Sequence, residues 1–414
     1  MRAGMAETVT IERIGHRGDG IAPTPEGPVY VAFTLPGECV TFERSGERGR
    51  LLEIIAPTPE RTTPPCRHFG ICGGCALQMM SLPASRKLKR EFVVAALAQH
   101  GLEVNVADTV GVAMSSRRRA MLTALRTRNK LLLGYNERLT NRVVDIEECP
   151  VLLAPMAERL AAIRVVLDRL LPGHKPVRVT ALMTRGGFDL NLEDAPAPSS
   201  RFVPELARLA QDAHIARLAI RGEPVLTLAE PAIAVAGVPL VPPPGAFLQA
   251  SAEAEAIMTG LVLEHFFGVR RAADLFAGVG TFGLALARNA SVRAVESSQG
   301  ALESLQGALR RAAGLKRVET ERRDLFAFPL AAAELAAFDG VVFDPPRAGA
   351  KAQAEALAAS PVPRIAAISC NPASFARDAR ILADGGYTLE RVVPVDQFVY
   401  SAETEIVGLF ARQA

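Results

Sequence analysis

The C-terminal part of the chain, from about residue 237, alternates short apolar stretches typical of strands with longer stretches typical of helices. Strands joined by helical crossovers pair in parallel, so this alternation predicts a doubly wound α/β sheet with helices on both faces. Ligands of such sheets bind at the carboxyl ends of the strands. The predicted strands are residues 272–275, 292–295, 317–320, 339–343, 364–369, 387–395 and 405–411, and the predicted helices are residues 281–289, 299–313, 350–359 and 373–383.

The 414 residues are enough for two or three domains, and the sequence pattern changes along the chain. Residues 1–56 alternate apolar and polar positions between Gly and Pro turns, as in 29–33, which predicts a small β-barrel. Four prolines between residues 57 and 65 predict a linker. Residues 57–236 combine a predicted helix with strand-like runs, and we interpret them as a mixed α+β domain that precedes the α/β domain of residues 237–414.

Positive charge is concentrated in two short segments, although the net charge of the chain is only +3. One segment extends from Arg117 to Lys130 and the other from Arg86 to Arg90. Such runs either contact phosphates or form a solvated helix face, and charge alone does not separate the two. The sequence has no apolar run long enough for a membrane span and no signal-peptide core. We therefore expect a cytosolic protein that does not enter a membrane.

A glycine-rich loop follows the first predicted strand of the α/β domain, in the pattern Asp274-x3-Gly278-x-Gly280. Glycine lets the backbone approach a bound nucleoside, because a side chain there would block it. Glu296 ends the next strand, where it can accept from ribose hydroxyls, and Asp324 follows the third, where it can accept from an adenine amino group. The loop lacks the third glycine of a pyrophosphate fingerprint, and two antiparallel strands end the sheet. Both features favour S-adenosylmethionine over NAD.

Two further motifs follow strands of the same sheet. Asp344-Pro345-Pro346 resembles the site of amino-group methyltransferases, but Arg347 stands where those enzymes have an aromatic residue. Cys370 lies at a strand end and just before a helix, whose N-terminus can lower the pKa of a thiol. A lone cysteine is often only a small buried residue, but its position beside a cofactor loop favours a nucleophile.

A nucleophilic thiolate beside S-adenosylmethionine suits methylation of uracil at C5. Uracil C5 is a poor nucleophile, and addition of sulfur to C6 makes it carbanion-like, so that it can attack the sulfonium methyl group. A general base must then remove the C5 proton so that the thiolate can leave. Glu405 follows a loop at the same edge of the sheet and is the candidate base, with Glu403 as its close competitor.

With these motifs in this order, the chain resembles the bacterial RNA (uracil-C5)-methyltransferases, which make 5-methyluridine in 23S rRNA and tRNA. The resemblance covers nearly the whole chain, since residues 9–55 look like a TRAM domain, an RNA-binding barrel of the OB type. It implies a class I methyltransferase fold, Cys370 as nucleophile and Glu405 as base. The residues expected around the cofactor and the substrate are Gln249, Phe276, Gly278, Gly280, Thr281, Glu296, Asp324 and Asp344.

Four of the six cysteines have the spacing of a metal site: Cys66, Cys72 and Cys75 form a cluster, and Cys149 lies further along the chain. Clustered cysteines in a cytosolic chain suggest metal ligation, and four thiolates suit either an iron–sulfur cluster or tetrahedral zinc. Spacing alone does not separate these two. The resemblance implies a [4Fe–4S] cluster, as in the family members that act on rRNA. Cys39 lies outside this set and is expected in the barrel core.

The chain departs from the family pattern at several positions. Ser251 stands where asparagine is common, Ser116 where an aromatic residue is expected, and Glu403 where histidine is usual. These changes leave the nucleophile, the base and the cysteines in place but leave the RNA substrate open. We expect a monomer that binds RNA, with 23S rRNA favoured and tRNA as the alternative. A non-catalytic RNA-binding factor and an amino-directed methyltransferase are the competing functions.

Overall fold

The computed structural model describes residues 6–412, which begin with a six-stranded sheet in the predicted β-barrel region. The sheet has the order β1-β5-β6-β4-β3-β2 and is antiparallel except where β4 meets β6. Its core contains Val31, Val40 and Phe42, and Gly49 packs so closely on Phe42 that a Cβ would lie 2.5 Å from the ring. The strands are β1 Ala6–Thr10, β2 Arg13–Ile14, β3 Asp19–Ala22, β4 Val29–Ala32, β5 Cys39–Ser45 and β6 Arg48–Ala56.

The central part of the chain forms a second six-stranded sheet, with the order β13-β12-β11-β10-β8-β9. Its apolar residues share one core with the residues of α3, including Ile163 and Val166, which lie on the buried stripe of that helix. The elements are α1 Leu82–Gln99, β7 Val110–Gly111, β8 Arg119–Arg126, β9 Leu131–Gly134, α2 Ala154–Glu158, α3 Leu160–Leu170, β10 Val177–Thr184, β11 Gly187–Leu192, α4 Val203–Asp212, β12 Ile215–Ile220 and β13 Glu223–Thr227.

The C-terminal part contains every strand and helix predicted for it, and the predicted α/β sheet is confirmed. The sheet has the order β18-β17-β16-β19-β20-β22-β21-β7, with β22 antiparallel to both of its neighbours. The elements are β14 Ile233–Val235, β15 Val238–Leu240, α5 Ala252–His265, β16 Arg271–Leu275, α6 Thr281–Leu286, β17 Ser291–Glu296, α7 Gln299–Arg311, β18 Val318–Arg322, α8 Ala332–Leu335, β19 Gly340–Phe343, α9 Lys351–Ala358, β20 Arg364–Ser369, α10 Pro372–Asp384, β21 Tyr387–Asp396 and β22 Glu405–Arg412.

Two elements from the predicted central domain belong to the C-terminal sheet. Strand β7 pairs in parallel with the end of β21, and α1 packs against β21 and α10. Val93 and Leu97 of α1 share a core with Phe375 of α10. The same helix buries Lys89 completely, with its ammonium group on the carboxylate of Asp396. The sequence pattern predicts the helix correctly but does not indicate which sheet it covers.

The order of the strands brings the chemical motifs to one edge of the sheet. Phe276, Asp344 and Cys370 each follow the carboxyl end of a parallel strand, namely β16, β19 and β20. Glu405 begins β22, and because β22 runs in the opposite direction its first residue lies at the same edge. Among residues 6–412, no helix has the length and apolar character needed to cross a membrane.

Candidate active site

A cavity of about 500 Å³ opens at this edge of the sheet. Its volume is within the range usual for small-molecule sites. It is lined by eight of the ten residues predicted for catalysis or cofactor binding, namely Gln249, Phe276, Gly278, Glu296, Asp324, Asp344, Cys370 and Glu405. Gly280 and Thr281 are not among the lining residues. Gly280 precedes α6 with φ 91°, and a Cβ there would lie 2.6 Å from Leu305, so packing alone requires glycine at this position.

One end of the cavity has the features that a nucleoside needs. Glu296 accepts hydrogen bonds from the amides of Gly278 (3.0 Å) and Ser298 (2.8 Å), which fixes its carboxylate at the cavity wall. The rings of Phe276 and Phe326 lie 5.3 Å apart. Gly278 has φ 55°, and a Cβ there would enter open space, so glycine leaves room for a ligand. These residues fit the adenosine part of S-adenosylmethionine.

The other end of the cavity contains a chain of hydrogen-bonded side chains. Gln249 donates from Nε2 to Oδ2 of Asp344 over 3.0 Å. Gln397 donates from its own Nε2 to Oε1 of Gln249 and to Oε1 of Glu405, both over 2.8 Å. Cys370 lines the cavity beside these groups. A thiol, two carboxyl groups and an oriented amide therefore meet in one buried place.

The surroundings of Cys370 raise its pKa rather than lowering it. Burial raises the pKa of the Cys370 thiol to about 11, helped by the charges of Glu405 and Asp344 and opposed by Arg347. The lowering expected from the helix N-terminus is therefore wrong in direction. The side chain of Asn371 caps α10 and accepts from the amide of Ala373 at 3.1 Å, so this amide is not directed at the thiol.

Both carboxyl groups at the reacting end titrate well above their usual range. Burial raises the pKa of Glu405 to about 8, and the charge of Asp344 adds to this, while the hydrogen bond from Gln397 opposes it. Burial also raises the pKa of Asp344 to about 7, opposed by the hydrogen bond from Gln249. A carboxyl group with a pKa near neutrality is suited to proton transfer. Glu405 therefore has the properties of a general base.

Glu403, the competing candidate for the base, points elsewhere. Its carboxylate accepts from the guanidinium of Arg347 at 2.9 Å in an exposed ion pair, and it does not line the cavity. Glu405 lines the cavity and is only 3% exposed. The geometry favours Glu405 over Glu403.

The basic segment from Arg117 to Lys130 does not form one continuous positive face. Arg118 is buried and pairs with Glu255 at 2.6 Å, and Arg126 and Lys130 also pair with carboxylates. Arg117 and Arg119 differ from these three, because Arg117 lies over the ring of Phe398 and Arg119 lies over the ring of Phe247. Within the described part of the chain, neither of these two arginines has an ion-pair partner.

The four predicted ligand cysteines converge, because Cys66, Cys72, Cys75 and Cys149 all line one further cavity. Within residues 6–412, however, no three His, Cys, Asp or Glu side chains are arranged to hold a single metal ion. This cavity adjoins the active site through a loop. The amides of Ala76 and Leu77, just after the last clustered cysteine, both donate to the carbonyl of Tyr400 at 2.9 Å.

Comparisons with known proteins identify the family. A family model described as tRNA (uracil-5-)-methyltransferase matches residues 243–413. Uncharacterized RNA methyltransferases of Brucella suis and Rhizobium meliloti are 44% and 45% identical to the chain, over 100% and 98% of it and 99% of each relative. The 23S rRNA (uracil(1939)-C(5))-methyltransferase RlmD of Chromohalobacter salexigens is 35% identical, over 98% of this chain and 90% of the relative. The chain belongs to the family of S-adenosylmethionine-dependent RNA (uracil-C5)-methyltransferases.

The fold agrees with this membership over the full length of the chain. The crystal structure of Pyrococcus abyssi tRNA (uracil-54, C5)-methyltransferase in complex with S-adenosyl-L-homocysteine superposes with a TM-score of 0.77. The superposition covers 98% of this chain and 99% of the other, at 21% identity, and at that identity it concerns the fold alone. The C-terminal sheet is that of a class I methyltransferase.

Two residues of this family member emerge from the structure with roles that the sequence did not indicate. Gln397 lies in the loop that leads to Glu405, and the sequence pattern assigns no role to its side chain. In the sequence, Lys89 is only one of the cations between Arg86 and Arg90. In the structure it is buried against Asp396 and donates to the carbonyl of Phe398 at 3.0 Å. A lysine on the apolar stripe of a helix, four residues before Val93, is the signal that could have revealed it.

Proposed function

We propose that this enzyme methylates C5 of a uridine in 23S rRNA through a covalent bond between the Cys370 sulfur and C6 of the base. The observation that carries this proposal is the cavity that Cys370, Glu405 and Asp344 share with the residues suited to adenosine. The Chromohalobacter relative supports 23S rRNA as the substrate, because the similarity extends over nearly the full length of both chains. tRNA is the alternative substrate.

The reaction begins with addition of the Cys370 thiolate to uracil C6. The new sulfur–carbon bond moves an electron pair to C5, which becomes the nucleophile. S-adenosylmethionine supplies a methyl group on a positively charged sulfonium sulfur. Because burial and two carboxyl groups raise the pKa of Cys370, a cation beside the sulfur favours the thiolate. Arg347, which lowers this pKa, is the chain's own group with the same effect.

The reaction ends with proton removal at C5 and release of Cys370. Once C5 carries the methyl group, the Glu405 carboxylate takes the C5 proton, and the electron pair of the C–H bond restores the C5–C6 double bond. The thiolate leaves C6 in the same step, and the proton on Glu405 passes to solvent. Asp344 and Gln249 are suited to orient the base, since a carboxyl and an amide can pair with the polar edge of uracil.

RNA binding is proposed for two surfaces. Arg119 lies over the ring of Phe247, which lines the active-site cavity and is 72% exposed, and Arg117 lines the neighbouring cysteine cavity. Neither arginine has a carboxylate partner among the described residues. Exposed aromatic rings beside arginines stack unpaired bases. The N-terminal sheet is proposed as the TRAM domain of the OB type and as a second contact. The target uridine must leave its stack, because the thiolate approaches C6 from above the ring.

We expect the enzyme to form a stable covalent complex with RNA that contains 5-fluorouridine. Fluorine at C5 cannot leave as a proton, so the reaction stops after methyl transfer with Cys370 still bound to C6. The measurement is a denaturing gel of purified enzyme incubated with labelled S-adenosylmethionine and fluorinated 23S rRNA or tRNA. Adduct on 23S rRNA supports the proposal, adduct on tRNA alone moves the substrate to the alternative, and no adduct on either RNA contradicts the mechanism.

We also propose that Cys66, Cys72, Cys75 and Cys149 hold a [4Fe–4S] cluster. Four thiolates suit either a [4Fe–4S] cluster or tetrahedral zinc, and the resemblance to the family members that act on rRNA favours the cluster. In a four-iron cluster each cysteine binds a different iron, so the sulfurs surround a larger volume. The four thiols line one common cavity, so they are placed to share one group. The methyl transfer moves no electrons, so the proposed role is structural.

Removal of one ligand should empty this site. We expect the enzyme purified without oxygen to contain about four irons and four sulfides per chain, and Cys72→Ser to lose both. Cys39→Ser, which changes a cysteine outside the set, should keep them. Because the cysteine loop is hydrogen-bonded to Tyr400, Cys72→Ser should also lower the thermal unfolding temperature. Zinc in place of iron, or no metal in the wild type, would contradict the proposal.

A further inference from the structure

The loop that leads to Glu405 contains one buried amide, Gln397, which is 3% exposed and contacts both halves of the reacting end. Its Nε2 donates to Glu405 and to Gln249, and its Oε1 accepts from the amide of Ala250 at 3.1 Å. A backbone N–H can only donate, so the contact with Ala250 defines which end of the Gln397 amide carries the oxygen. Both donor hydrogens are then committed to the two neighbouring side chains.

This fixed amide determines the orientation of the groups next to it. Because Oε1 of Gln249 accepts from Gln397, the NH2 group of Gln249 must face Asp344. On the other side, Oε1 of Glu405 is occupied by Gln397, while Oε2 accepts no hydrogen bond from any residue among 6–412. Oε2 is therefore the oxygen that remains available for a proton from the substrate.

The backbone on both sides of Gln397 is held by one buried cation. Lys89 places its ammonium group on the carboxylate of Asp396 and donates to the carbonyl of Phe398 at 3.0 Å. Both Lys89 and Asp396 are completely buried. A side chain whose two neighbours are fixed in this way has little freedom to leave its partners, so Gln397 is preorganised.

We infer that Gln397 is a positioning residue of the methyl-transfer reaction, which aims Oε2 of Glu405 at the C5 proton and turns the amide of Gln249 toward Asp344. This inference rests on the proposed function. The titratable groups near enough to influence Glu405 are Asp344, Cys370 and Glu403, and Arg347 is the cation that pairs with Glu403. Among them Gln397 is the neutral donor, and its hydrogen bond favours the ionised form of Glu405.

The test replaces Gln397 by methionine, which has a similar size and no hydrogen bond to offer. We expect Gln397→Met still to form the adduct with 5-fluorouridine RNA, because that step uses Cys370 and not Glu405, and any slowing of this step reports the lost orientation of Gln249. Product release from ordinary RNA, which needs Glu405, should slow by about tenfold to a hundredfold. The wild-type release rate should fall as the pH drops below the pKa of Glu405, which is about 8, and in Gln397→Met this fall should begin at higher pH.

Two further variants separate positioning from stability. Gln353→Met removes a buried amide that makes two hydrogen bonds to Leu330 and does not line the cavity, and it should leave the pH profile unchanged. Gln397→Glu keeps the size and adds an acid beside Glu405, so the fall in release rate should begin at higher pH even if Gln397→Met folds poorly. The inference would be overturned if Gln397→Met and Gln397→Glu kept the wild-type release rate and its wild-type dependence on pH. It would also be overturned if Gln397→Met and Gln353→Met lost stability and activity in parallel. A wild type that forms no adduct would overturn the proposed function itself.

Discussion

Replacement of Cys370 by alanine is expected to abolish methylation, with a loss of at least about a thousandfold in rate. Without the sulfur there is no addition to C6, and uracil C5 stays too weak a nucleophile to attack the methyl group. The site should otherwise remain intact, because Cys370 lies at the end of β20 and its replacement removes one sulfur from a cavity wall. The variant should still bind S-adenosylhomocysteine in calorimetry.

The matched control is Cys39→Ala, which removes a thiol from the N-terminal sheet and should keep full activity. Adduct with 5-fluorouridine RNA should be present in this control and absent in Cys370→Ala. The experiment also decides between competing chemistries. An amino-directed methyltransferase built on Asp344-Pro345-Pro346 would not need the thiol, so undiminished methyl transfer by Cys370→Ala would contradict the covalent mechanism. A non-catalytic RNA-binding factor would bind RNA without methyl transfer in any variant.

Much of the C-terminal fold is predictable from the sequence, because strand and helix alternate there with clear turns between them. The motifs at the ends of β16, β19 and β20 come together for a simple reason: parallel strands share one carboxyl edge. Glu405 reaches the same edge because it begins a reversed strand, and its position after a loop at that edge was the signal that predicted it. Local pattern therefore recovered most of the predicted residues that line the cavity.

The sequence did not predict the contacts that depend on elements far apart in the chain. Lys89 and Asp396 are separated by 307 positions, and only the packing of α1 on β21 brings them together. The same holds for the amide of Gln397, which joins Gln249 to Glu405. The predicted lowering of the Cys370 pKa was also wrong, because it rested on one local feature, the start of α10. Burial and the charges of Glu405 and Asp344 raise this pKa, and they depend on the whole fold.

Charge patterns along the chain were the least informative feature. A run of cations looks like an RNA-binding face, yet the fold directs alternate side chains of β8 to opposite sides of a sheet. Arg118, just before this strand, forms an ion pair with Glu255, whereas Arg119 lies over the ring of Phe247 at the cavity. Which cations remain free is determined by acidic residues elsewhere in the chain, so a count over the segment overestimates the RNA-binding surface.

Glu405→Gln is expected to trap the enzyme on ordinary RNA, without fluorine. The amide cannot accept the C5 proton, so Cys370 adds to C6, the methyl group is transferred, and the reaction stops before release. The product is a methylated covalent complex that survives a denaturing gel, while turnover falls by about a hundredfold to ten-thousandfold. The nearly neutral volume change and the retained contact to Gln397 favour an intact fold.

Glu403→Gln is the matched control, because it removes a carboxylate two residues away that pairs with Arg347 and does not line the cavity. This variant should turn over and accumulate no adduct with ordinary RNA. A trapped complex in Glu403→Gln and free turnover in Glu405→Gln would transfer the role of the base to Glu403.

Labelled methyl groups in the Glu405→Gln complex show when Glu405 acts. A complex without label would mean that the variant stops before methyl transfer, so that Glu405 acts earlier than proton removal. The raised pKa of Glu405 supports the later role: its carboxylate form increases as the pH rises through about 8, so wild-type release should speed up over the same range.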